Sequence, residues 1–320
     1  MKRLSIMMLV LAAAALTVQA AENHWDNDAG DNRWNNPLNW ENDTLPLQSN
    51  AVIEGGAYVI AADPTNAAPG GINIRNSDML ISSNFAPAGV QDWRDTTIIV
   101  TNGAVVNAAL GQTRAVTLNG LKNSSATLTI TGSGSSWQGG GLGNYPFYAA
   151  SAANTNNGFT LNVMNGGEYR GKFFMGTDNL GTPEAIDATV HVNVYSNSLA
   201  GTGSLGQWDF GVVSGEAKVN LLGGELYFTS SNALNFYSGP TATEGIFFDE
   251  LGSKIVFGGD ATNAVQGWID DGLFVDNAGS GLTYSYDSIS DETTVIPEPA
   301  TIGLLIMSCA GLAILRRRAS

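Results

Sequence analysis

Five short segments of one design recur through the middle of the 320-residue chain. Thr97-Ile98-Ile99-Val100 runs into Asn102-Gly103, Thr127-Leu128-Thr129-Ile130 into Gly132, and Thr160-Leu161-Asn162-Val163 into Gly166-Gly167. Lys218-Val219-Asn220-Leu221 runs into Gly223-Gly224, and Thr189-Val190-His191-Val192 has its turn displaced into Asn193 to Ser198. Aligned on Ile98, Leu128, Leu161, Val190 and Val219, the copies are 30, 33, 29 and 29 residues apart. Each alternates apolar with polar residues and then meets a glycine, the pattern of a half-buried strand followed by a tight connection. A strand and turn repeated near every thirty residues predicts stacked coils, in which each coil pairs its strands with the next and shares one continuous core. The expected fold is therefore all-β, a right-handed β-helix or other β-solenoid, with a β-sandwich or jelly roll as its competitor.

Composition agrees with many short strands joined by Gly and Asn turns. There are 39 glycines, 13% charged residues and 43% hydrophobic residues. That apolar content is enough to bury a core and argues against global disorder.

Residues 1–20 have the three parts of a secretory signal: Lys2 and Arg3, an apolar run from Leu4 to Val18, and Val18-Gln19-Ala20 before the cut. Cleavage is expected between Ala20 and Ala21. At the other end Pro297-Glu298-Pro299 precedes Ala300 to Leu315, sixteen residues without a charge, and then Arg316, Arg317 and Arg318. A helix of that length spans roughly 24 Å, enough for a single membrane crossing with snorkelling arginines. Positive residues stay in the cytoplasm, which puts the body outside.

That order of Pro-Glu-Pro, apolar span and arginine cluster resembles the PEP-CTERM sorting domain. The resemblance implies that a membrane enzyme, an exosortase, recognises Pro297, Glu298 and Pro299 and processes the tail. It also implies an exopolysaccharide-producing bacterial host, with the secretion translocon, the membrane and exopolysaccharide as partners. The opening of the body, with Trp25, Trp34 and Trp40 ahead of Ala51-Val52-Ile53, resembles the start of autotransporter-passenger-like β-helix bodies. There such tryptophans cover the open end of the first coil.

The expected organisation is a signal peptide over 1–20, a tryptophan-rich cap over 21–60, solenoid repeats over 61–230, closing strands over 231–295 and the sorting segment over 296–320. Within the closing section, Ile246-Phe247-Phe248 and Lys254 to Phe257 predict strands. Trp268-Ile269 with Leu273 to Val275 predict a short helix or turn, and Leu282 to Tyr286 with Thr293 to Ile296 a hairpin.

Chemistry is sparse. The chain carries −15 overall, and removal of both ends leaves 9 basic against 29 acidic residues, a net of −20. Such a body does not hold a nucleic-acid backbone without a bridging cation. The single cysteine, Cys309, sits in the C-terminal apolar run, so the body has no disulfide and no thiolate metal site. No catalytic motif stands out, no cofactor is expected, and Asp249-Glu250 and Asp270-Asp271 are adjacent pairs whose members point apart on a strand. Asp26, Asp28 and Asp31 form a calcium candidate, but the twelfth position from Asp26 is Pro37, where an EF-hand needs a bidentate Glu. The plainer reading is a polar turn. Trp137, Trp208, Tyr145, Phe147 and Tyr148 either stack on sugar rings or fill the core, the second being preferred. His191 is expected to face solvent.

The functional expectation is a non-enzymatic cell-surface or matrix protein, bacterial, exported, held by its tail and then processed. Its rivals are a carbohydrate-binding surface module and a polysaccharide lyase or hydrolase. An exposed aromatic row distinguishes the first, and converging carboxylates the second.

Overall fold

In the computed structural model the described residues are 22–298, apart from 48, 64–68, 88, 90, 109–112, 116–122, 140–146, 151–155, 177–184, 203–205 and 238–240. The fold is all-β, with three sheets whose neighbouring strands are parallel almost throughout. One sheet of nine strands begins with Glu22–His24 and Asn50–Ile53 and ends with Leu234–Phe236. A second, also nine-stranded, runs from Tyr58–Ala61 to Phe274–Asp276. The third, of eight strands, starts at Val105–Ala108. It ends in the hairpin Leu282–Asp287 and Glu292–Pro297, whose second strand pairs antiparallel with Lys254–Gly258. From Gln91–Arg94 to Lys254–Gly258 the chain visits first, second and third sheet in turn and then begins again. At about 4.8 Å between strands, a nine-stranded stack is roughly 40 Å long.

Parallel pairing in chain order separates this architecture from a sandwich or jelly roll, which are built from antiparallel strands. The sheets also extend further than the expected repeat region of 61–230. Strands within 21–60 and within 231–295 belong to the same three sheets, so the parallel architecture is not confined to the middle of the chain. The early circuits return after about twenty residues, with Ala51 opposite Ile72 and Ile72 opposite Gln91, and touch the third sheet only through the single bridge of Phe85 to Val106 among the described residues.

All five segments of the repeat lie side by side in the second sheet. Their true register is Ile98, Leu128, Leu161, Val192 and Val219, continuing to Ile246. The expected alignment on Val190 is thus two residues early. A shift of two preserves which face each residue occupies, so the alternation could not expose the slip. These side chains face inward and are all buried. Beside them Val100, Ile130, Val163, Val194, Leu221 and Phe248 form a second buried row.

Corners hold the circuits together. Asn102 and Gly103 both have positive φ (58° and 73°), as do Asn165 and Gly166 (54° and 83°), a conformation that Asn and Gly tolerate best. At each such corner a serine one circuit later accepts the exposed glycine N–H. Ser135 Oγ takes it from Gly103 at 3.0 Å, Ser198 Oγ from Gly166 at 3.2 Å, and Ser253 Oγ from Gly223 at 3.1 Å. These serines are buried, and their bonds satisfy backbone donors that the sheets leave unused.

Both ends of the stack are covered. Trp34 and Trp40 are fully buried, Trp25 nearly so, and they meet edge to face at 4.9–5.0 Å, with Phe85 completing the cluster. The backbone at Asn32 and Trp34 bonds to Ile60, which closes the edge of the second sheet. At the far end helix Thr262–Asp270 lays Trp268 against Phe236, Phe257 and Phe274. The signal helix expected over 1–20 and the apolar helix expected over 300–315 lie outside the described residues. Among the described residues no helix is long and apolar enough to cross a membrane.

Candidate functional site

The candidate residues fall in separate places. At the N-terminal end, Asp26 Oδ1 accepts the Asp28 N–H at 3.2 Å, a local turn bond. Asp31 accepts the Arg33 N–H at 3.0 Å, the Asn39 amide at 2.6 Å and the Asn36 amide at 2.8 Å. Those bonds, the backbone one first, hold its carboxyl below the usual range. The organiser here is Asn39, fully buried, which also donates to the Arg33 carbonyl and accepts the Ala29 N–H. Nothing in the pattern Asn-Pro-Leu-Asn-Trp singled it out. Arg33, Asn35, Asn36 and Pro37 line an open cleft of about 770 Å³ with Asp31 and Ile60. Among the described residues no three histidine, cysteine or acidic side chains are grouped as a metal site would require.

The acidic pairs are likewise apart. Asp249 accepts the Asn277 amide at 2.7 Å beside the second sheet, whereas Asp270 accepts the Gln266 amide at 2.7 Å along the helix.

Trp137, Phe147 and Trp208 are buried and belong to an aromatic column inside the stack that also includes Trp93, Phe173 and Phe228. The Trp208 indole donates to the Gly171 carbonyl at 3.0 Å. Tyr148 is half-buried against Phe174, and Tyr145 lies outside the described residues.

The outer face of the second sheet carries an ordered ladder of side-chain amides. Asn220 donates to Asn193, Asn193 to Asn162, and Asn162 to Thr129, at 2.8, 2.9 and 3.4 Å. This amide ladder arises because those residues are direct cross-strand partners. Beside it His191, half-buried on the outer face, sits 2.9 Å from Glu216, which also takes the Lys218 ammonium at 2.8 Å. Both contacts, that of Lys218 first, lower the Glu216 carboxyl. On the first sheet Asp209, almost fully buried, accepts the amides of Gln207 at 2.7 Å and Asn235 at 2.9 Å. Sequence reasoning missed Asp209 because a three-residue strand, Trp208–Phe210, shows no periodicity.

The Pro-Glu-Pro sequence begins inside the fold. Pro297 is buried as the last residue of its strand, opposite Leu282, and the Glu298 N–H donates to the Gly281 carbonyl at 2.7 Å. Pro299, Arg316, Arg317, Arg318, Ala20 and Ala21 lie outside the described residues. Comparison with protein-family models, with curated proteins and with solved structures found no match.

Proposed function

We propose that the protein is an exported bacterial surface or matrix protein with a right-handed β-solenoid body, sorted through its C-terminal tail by an exosortase. The observation that carries the sorting reading is the order of the tail: Pro297-Glu298-Pro299, sixteen uncharged residues and three arginines, starting where the last strand of the body ends. The body supports a structural role. Its charged pairs, such as His191 with Glu216 and Lys254 with Glu225, are local, and Trp137, Phe147 and Trp208 fill a continuous stack. Buried rings cannot stack on a sugar, which counts against a carbohydrate-binding module built on Trp137, Phe147 or Trp208. The dispersed acidic pairs count against a lyase or hydrolase, whose mechanism needs carboxylates facing one substrate bond.

The test is the intact mass and location of the protein in its host with and without exosortase. Loss of the segment after the Pro-Glu-Pro motif, with surface display or release only when the enzyme is present, supports the proposal. A full-length C-terminus in both strains refutes it.

A further inference from the structure

We infer that the first residue of the sorting motif is latched into the folded body, so that the processing enzyme engages the motif only after the end of the C-terminal hairpin lifts. The inference rests on the sorting reading and adds how that site is regulated. Peptide-binding grooves take their ligands as extended chains, using the backbone edges together with alternate side chains. Here those elements are already in use. Pro297 is buried against the hairpin, its Cα facing Leu282. The next residue is tied down by its own N–H to the Gly281 carbonyl, and the Glu298 side chain lies over Gly281, with Cδ 3.6 Å from where a Cβ would stand. Two residues before Pro297, Val295 is fully buried between Ile255 and Tyr284. An enzyme that reads Pro297, Glu298 and Pro299 together must therefore unseat a packed proline.

The latch is shallow. Pro297 contributes no N–H to the ladder, which is why a strand tolerates it at its end. Its cross-strand partner lies on one side only, whereas Val295 is paired on both. Lifting Ile296 to Glu298 breaks the Glu298 bond, parts Ile296 from Thr283 and exposes one ring, while the rest of the strand stays clamped between Leu282–Asp287 and Lys254–Gly258. Hairpin closure and processing thus compete for the same residues, and a body whose last hairpin has not closed presents its motif most readily.

The experiment uses the full chain in exosortase-bearing cells, in a Cys309→Ser background. Thr283 and Ile296 are direct cross-strand partners, and antiparallel partners lie at Cα separations a disulfide can bridge. The pair Thr283→Cys with Ile296→Cys should slow processing at least tenfold when oxidised, with recovery on reduction. Leu282→Ala, which strips the residue facing Pro297, should speed it several-fold. Equal rates for the oxidised and reduced double-cysteine proteins overturn the latch. If the Cys309→Ser parent is never processed while exosortase is present, the sorting reading itself fails, an outcome the parent alone identifies.

Discussion

Two buried tryptophans give a direct test of the interior chemistry. Trp137 and Trp208 are almost equally inaccessible, at 1% and 0% exposure, and both sit in the aromatic column. They differ in one respect. The Trp208 indole N–H bonds to Gly171, whereas the Trp137 indole N–H has no partner among the described residues. Replacing either by phenylalanine removes the same atoms, so the transfer and cavity terms nearly cancel between the two variants. Trp208→Phe also leaves the Gly171 carbonyl without its indole donor, a loss of about 1–3 kcal/mol. Trp137→Phe gives up no such bond. The expected outcome is that Trp208→Phe is less stable than Trp137→Phe by at least about 1 kcal/mol. Urea unfolding followed by far-UV circular dichroism measures this, with a common m-value showing that the same unit unfolds in both. Equal midpoints, or a costlier Trp137→Phe, would show that indole hydrogen bonding does not decide the balance in this core.

Three further outcomes are expected. Asn193→Ala breaks two rungs of the amide ladder, one given to Asn162 and one received from Asn220, and should cost about 1–2 kcal/mol in the same assay. Gly167→Ala places a Cβ 2.5 Å from the Ile130 carbonyl oxygen, a backbone atom that yields only if the corner moves, so a loss of about 1–3 kcal/mol is expected. Glu216 has a folded-state carboxyl held below its ordinary value of 4.5 by Lys218 and then His191. Its contribution is complete above that value and disappears as pH falls through the lowered one. Glu216→Gln should flatten stability against pH in that acid window, by less than about 1 kcal/mol since the side chain is 40% exposed, as unfolding midpoints between pH 6 and 3 will register.

The second sheet was legible because its strands are long enough to alternate. Ala188–Tyr195 and Ser214–Leu222 show several inward positions each, and the spacing between copies revealed the stacking. The first sheet was not legible. Phe147–Ala149, Phe173–Met175 and Trp208–Phe210 have three residues apiece, too few for a period, so core filling was preferred for Phe147 and Trp208 without any strand to place them on. The early circuits escaped notice because they return after about twenty residues and reach the third sheet through one bridge, Phe85 to Val106, instead of a strand. At the candidate site the motif itself was plain, but its burial was not. A proline signals the end of a strand, and the expected strand accordingly stopped at Ile296, one residue short of where packing carries it. Asn39 was invisible for a different reason, since its partners Ala29, Asp31 and Arg33 come from the preceding turn and only folding brings them together.

The stacking of parallel strands in chain order also determines how the body responds to force. A pull between its two ends acts across the sheets, along the hydrogen bonds that join successive strands, and not along the strands themselves. Bonds loaded in that direction break row after row, as a zip opens, and do not resist together in shear. A load applied through the C-terminal strand enters the stack at Glu292–Pro297, so peeling should begin in the antiparallel hairpin that closes the third sheet.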